Sequence, residues 1–160
     1  MEAVYLSYKI RKMHKLDNQR VYALLSKEVD TKELMKTIVD HIRRGEGYKL
    51  QDESTGDLLG VFLVKRYKKH YSLSYYFLKD EVRRKPISLI FFMKCMSKLN
   101  PLFPVYVKKN KNYSTYSRYF EETEDSEILR FKGLRDSSFD DKFKEVINGW
   151  SCWRCKRCSR

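Results

Sequence analysis

Three cations, Arg83, Arg84 and Lys85, stand directly before Pro86 and an apolar stretch that recurs at helical spacing through Ile87, Ile90, Phe91, Lys94 and Cys95. Proline suits the first turn of a helix, where its missing N–H would have no partner. Free backbone N–H groups, the positive end of the helix macrodipole and the Arg side chains would meet at that point, which is a way to hold a phosphate or pyrophosphate. An ordinary strand–loop–helix unit has the same outline and binds nothing, so these residues alone leave the ligand open. A second cluster lies at a hairpin tip, Lys65-Arg66-Tyr67-Lys68-Lys69-His70-Tyr71. Cations meet phosphates while tyrosine rings stack on unpaired bases. Lys65, Arg66, Lys68 and Lys69 are therefore candidate contacts to DNA or RNA, or else a solvated turn. A third cluster ends the chain. Cys152, Cys155 and Cys158 form two overlapping C-x-x-C pairs, three thiolates where a structural zinc takes four ligands. Arg154, Lys156 and Arg157 beside them favour reactive thiolates, and a basic tail of reduced cysteines accounts for the same pattern.

The elements that must carry these residues are legible from periodicity. Val4, Leu6, Tyr8 and Ile10 alternate with polar neighbours and form a first strand. Asp17 is placed to cap a helix over 18–27, and Asp30 with Glu33 forms a capping box for a second helix. Leu34, Ile38, Val39 and Ile42 are its expected buried stripe, with Gly45 or Gly47 ending it. Strands over 48–52, 58–67 and 71–78 read as an antiparallel meander, the middle one apolar enough to lie centrally in the sheet. The helix opened by Pro86 follows, with Cys95 as a small core residue. A strand over 103–108 then pairs in parallel across it. A helix over 112–121, an acidic connection over 121–127, a strand over 127–132 and a helix over 138–148 complete the chain. The expected fold is α+β, a mixed and mostly antiparallel central sheet flanked by helices, parting near its parallel pair. Residues 1–149 form one domain and 150–160 a basic, Cys-rich tail.

With 160 residues, the chain is long enough for a single real core. No apolar run approaches the roughly 20 residues of a membrane span, and the first residues lack the apolar core of a signal peptide. A soluble cytoplasmic protein is expected. The net charge of +13 favours polyanionic partners, nucleic acid among them, or serves only solubility.

This order of elements resembles the GNAT family of N-acetyltransferases over 8–133. That family binds acetyl-CoA on a loop of Gln or Arg, two of any residue, Gly, one of any, then Gly or Ala, between the fourth strand and the following helix. Residues 83–88 stand in that place: Arg83 matches the opening cation, Ile87 the usual apolar position, while Pro86 and Ser88 replace the small residues. Proline removes an N–H that would face the pyrophosphate, and each charge-assisted bond lost costs about 1.5–3 kcal/mol. The resemblance implies an acyl-CoA-dependent N-acyltransferase with an atypical pyrophosphate loop. A backbone N–H near Tyr76, Phe77 or Leu78 would polarise the thioester carbonyl. Arg83, Arg84, Lys85, Ile87 and Ser88 would surround the pyrophosphate, and Asn112 would contact the pantetheine arm. Tyr119 would protonate the departing thiolate, with Tyr116 as its substitute. Tyr113, Tyr116 and Tyr119 read equally as one helix face with wet hydroxyls. No Asp or Glu falls within 71–78, which leaves His70 or a water chain as the base.

The alternative on the same fold is a catalytically inactive basic module that binds nucleic acid or a host or virion protein. Virus-encoded proteins of this size resemble the family with worn loops, and such a member would act in the host cytoplasm or the virion. The acyl acceptor is not readable from these residues.

Overall fold

The computed structural model describes residues 8–109 and 119–133. The chain enters as β1 (Tyr8–Lys12) and passes a 3-10 turn (Lys15–Asp17) into helices α1 (Asn18–Leu25) and α2 (Leu34–Arg43). It returns as β2 (Gly47–Asp52), β3 (Leu58–Arg66) and β4 (Tyr71–Leu78). Helix α3 (Pro86–Ser97) crosses to β5 (Val105–Lys108), and β6 (Phe120–Glu122) and β7 (Ile128–Phe131) form a closing hairpin. The strands lie side by side in the order β1-β2-β3-β4-β5-β7-β6. All neighbours are antiparallel except β4 and β5. That pair is parallel because a helical crossover brings the chain back to the same end of the sheet. This is the expected α+β architecture. No helix among the described residues is long and apolar enough to cross a membrane.

The apolar run of β3 is explained by burial on both sides. Leu58, Val61 and Leu63 pack under α1 and α2, while Leu59, Phe62 and Val64 pack under α3. At Gly60 the sheet is so tight that a Cβ would lie 2.7 Å from Leu78 Cδ2 and 3.2 Å from the Phe77 carbonyl. On the α3 side, Phe92 is the hub of an aromatic cluster, its ring 5.3–6.4 Å from those of Phe62, Tyr76, Tyr119, Phe120 and Phe131. Cys95 is wholly buried there, and burial pushes its thiol well above the ordinary value, so it packs as a small apolar residue.

Three local expectations are corrected. Asp17 does not cap α1. Its buried carboxylate accepts the His14 N–H at 2.8 Å and both of its oxygens lie 2.9 Å from Lys49 Nζ on β2, so a partner across the fold outbids the local cap. The capping box at Asp30 and Glu33 does not form either. Asp30 accepts the nearby Lys32 N–H at 3.0 Å, closing a small turn, and Glu33 takes a left-handed φ of 60° before α2 begins at Leu34. Finally, 120–122 is the edge strand β6, not helix and acidic connection. Phe120 faces the core opposite Phe131, and the exposed Glu121 and Arg130 pair across the hairpin.

Candidate active site

Strand β4 is shared between two neighbours for only part of its length. Tyr71, Ser72 and Leu73 pair with Val105, Tyr106 and Val107 of β5, and there the parallel ladder stops. From Tyr75 to Leu78 the strand continues against β3 alone, with no strand on its other edge among the described residues. The cause is a bulge. Leu63 lies opposite Tyr75 and Val64 opposite Leu73, which leaves Ser74 as the extra residue, outside both ladders. A bulge bends its strand and increases the local twist, so β4 leaves β5 at this residue. It also reverses the facing of the side chains. Leu73 and Tyr71 point to the α3 side, yet beyond Ser74 it is Tyr76 and Leu78 that do so, while Tyr75 and Phe77 join the α1/α2 side.

At its far end the open half of β4 meets the cationic loop. Arg83 is occupied within the protein: its Nε donates to the Leu78 carbonyl at 3.0 Å, its Nη1 pairs with Asp80 at 3.0 Å, and its guanidinium lies 5.4 Å from the centre of the Phe77 ring. The amides of Arg83, Lys85 and Ser88 donate to the carbonyls of Lys79, Val82 and Lys85, and Ser88 Oγ donates to the Lys85 carbonyl at 2.6 Å. Ile87 is buried in the core. Tyr76 reaches across, its hydroxyl 3.3 Å from the Ser88 carbonyl and its ring stacked on Phe91. Arg84 and Lys85 remain exposed beside the start of α3, and Arg84 adopts a left-handed φ of 65°.

Tyr119 is buried with its ring stacked 5.7 Å from that of Phe92, and Phe92 in turn packs against Tyr76 on the open half of β4. Asn112, Tyr116 and the tail residues Cys152, Cys155 and Cys158 lie outside the described residues. Among the described residues no group of three His, Cys, Asp or Glu side chains gathers as a metal site would need. His70 sits at the other end of β4, stacked 4.6 Å on Tyr67 with its edge toward Tyr106. About 13 Å of strand separates it from the bulge, at about 3.3 Å per residue. At the hairpin tip Lys65 lies over Tyr67 and Arg66 over Phe103, leaving Lys68 and Lys69 exposed.

On the α2 side of the bulge is a constellation not read from the sequence. Helix α2 buries Leu34, Ile38, His41 and Ile42, whereas Val39 turns outward. His41 thus occupies a core-facing position and must satisfy its ring nitrogens there. Nδ1 lies 2.7 Å from the Thr37 carbonyl and Nε2 lies 2.9 Å from Ser74 Oγ. Burial is the largest influence on His41 and lowers its pKa below the ordinary 6.5, outweighing the opposing hydrogen bond to Thr37. The pair borders an open cavity of about 320 Å³, lined also by Asp40, Arg44, Glu46, Lys65 and Tyr75. Nothing in the sequence signals the bulge, because Tyr71, Leu73, Tyr75 and Phe77 keep an unbroken alternation.

No family model and no curated protein matches the sequence. The fold, by contrast, matches many solved structures. PaiA N-acetyltransferase of Thermoplasma acidophilum, in complex with coenzyme A, superposes with a TM-score of 0.60 at 16% identity, covering 79% of this chain and 99% of that one. The GNAT family N-acetyltransferase YhbS of Escherichia coli, in complex with CoA, gives 0.62 at 16% identity over 83% and 84% of the two chains. Arabidopsis thaliana NAA60, in complex with a bisubstrate analogue, gives 0.60 at 12% identity over 78% and 97%. The chain has the GNAT fold.

Proposed function

We propose that this protein is an acyl-CoA-dependent N-acyltransferase. The observation that carries the reading is the parting of β4 from β5 at Ser74, on a strand whose far end meets the loop before α3, in a fold whose solved neighbours hold CoA. Beyond Leu73 β5 no longer runs beside β4, and that edge of the strand gives the amide-bearing arm of an acyl-CoA a place to lie as an added strand would. The bulge sets Ser74 outside the register of both ladders, and a backbone N–H turned from the ladder there is the kind of donor that polarises a thioester carbonyl where charge develops. At the loop, Arg84 and Lys85 take the pyrophosphate role, because Arg83 is committed to Leu78 and Asp80 and most loop amides to their own carbonyls. Transfer breaks the C–S bond and forms a C–N bond. One proton must leave the amine and one must reach the sulfur, the second from Tyr119.

Calorimetric titration with acetyl-CoA at low and moderate salt tests the reading. Stoichiometric binding that persists at moderate salt is expected. Arg84→Ala weakens it about tenfold, as loss of a charge-assisted contact of about 1.5 kcal/mol requires. Tyr119→Phe slows turnover without loosening acetyl-CoA; unchanged turnover in that variant would remove Tyr119 from the reaction. Binding that vanishes with salt, together with DNA or RNA binding lost in a Lys68→Ala, Lys69→Ala double variant, would support the basic-module reading instead.

A further inference from the structure

The acyl-transfer reading leaves the proton of the acceptor amine without a destination, since 71–78 holds no carboxylate and His70 stands at the far end of the strand. The α2 face of the bulge supplies one. A carbonyl oxygen only accepts, so His41 Nδ1 carries the hydrogen and donates it to Thr37 at 2.7 Å. Nε2 is then bare, and the 2.9 Å contact to Ser74 has the serine hydroxyl donating to it. The helix backbone thereby fixes the tautomer and aims the basic nitrogen at the one β4 residue that belongs to neither ladder. Glu46 is held next to this pair by its own backbone, its N–H donating to the His41 carbonyl at 2.9 Å and its carbonyl accepting the Val64 N–H at 3.0 Å. Its Oε2 is buried and accepts no hydrogen bond among the described residues. Glu46 also lines the cavity, and a carboxylate there accepts N–H from an amine.

We propose that the cavity beneath the bulge is the acceptor site, that it takes a primary amine held through N–H by Glu46, and that His41 removes the amine's proton through the Ser74 hydroxyl. This rests on the acyl-transfer reading. A substrate arriving as an ammonium first releases one proton to solvent. The neutral nitrogen then forms the C–N bond as the C–S bond breaks. Its second proton passes to Ser74 Oγ while the serine proton passes to His41 Nε2, and the thiolate takes a proton from its own acid. The charged and titratable groups facing His41 are Asp40 and Arg44 on α2, Glu46 after it, Lys65 on β3 and Tyr75 on β4. Two acids and two cations border it, so the site offers a zwitterionic or hydroxylated amine more than a polycation.

The test uses the full chain. Thiol release from acetyl-CoA is followed with lysine, ethanolamine and n-butylamine as acceptors, beside calorimetry with acetyl-CoA alone. His41→Gln is expected to lower kcat at least 100-fold, the scale of general-base catalysis, and to abolish the acidic limb of the pH profile, with acetyl-CoA affinity within twofold. Glu46→Gln raises the amine KM at least tenfold with little change in kcat. If His41→Gln does not fold, Ser74→Ala, which removes only a hydroxyl, is expected to give the same kcat loss. Wild-type kcat and pH profile in these variants would overturn the relay. If acetyl-CoA does not bind at all, the donor reading fails and the amine site is judged separately: n-butylamine should shift the His41 imidazole resonances in wild type and not in Glu46→Gln. No shift would overturn it.

Discussion

At Leu78 the open half of β4 runs into a loop whose polar groups serve one another, whereas at Ser74, at the other end of the same open edge, polar residues line a cavity. Arg83 is spent on the Leu78 carbonyl, Asp80 and Phe77, and three loop amides on loop carbonyls. Around Ser74 stand a bulged residue outside both ladders, a histidine whose tautomer is fixed by the Thr37 carbonyl and a buried Glu46 oxygen that accepts no hydrogen bond among the described residues. The difference teaches that a worn-looking loop motif marks self-satisfaction of the backbone at one end, and does not by itself describe the other end.

The largest perturbation should disable both ends together. Phe92→Ala removes the ring shared by Tyr76 and Tyr119 and should cost about 3–5 kcal/mol in urea unfolding. A cost under 1 kcal/mol would show that the aromatic cluster does not hold the open half of β4. Arg83→Ala should cost about 1.5–2 kcal/mol of stability, since the Leu78 carbonyl is buried and loses a charged donor; the exposed pair with Asp80 adds little. An acetyl-CoA affinity lost without any stability loss would instead return Arg83 to a ligand role and dissolve the contrast.

His41 sharpens the comparison from the other end. Burial disfavours its imidazolium, so its folded pKa lies below the ordinary 6.5. The unfolded chain then binds the proton more readily. The stability tied to neutral His41 is fully present above pH 6.5 and falls as pH drops below it, by at most about 1.4 kcal/mol per pH unit for one proton. Unfolding measured from pH 7.5 to 5 should show this slope, and His41→Gln should flatten it; an equal slope in both would place the titration elsewhere. The smallest effect is expected at the loop. Arg84→Gly relieves a left-handed φ of 65° and should raise stability by about 0.5–1 kcal/mol while weakening acetyl-CoA binding.

The strands and helices were largely legible because burial imposes a period on a contiguous stretch. The alternation at 8–10, the apolar centre of β3, Pro86 at the start of α3 and the parallel return after it all follow from neighbours in sequence. Arg83, Arg84 and Lys85 were visible as cations, but which of them is free was not, because the answer is a carbonyl at Leu78 and a ring at Phe77.

By itself, then, the sequence determined β1 to β5, β7 and the helices between them, their order and the parallel crossover, since each depends on side-chain period and crossover length, whereas the edge strand β6 did not show. Only the tertiary structure decided that Asp17 serves Lys49 instead of a helix, and that Ser74 is the bulged residue. It alone decided that His41, and not Val39, faces inward. The bond between His41 and Ser74 spans 33 residues. Hydropathy favours Val39 for the buried stripe, and only the packing of α2 over β4 supplies the partners that let a histidine be buried there.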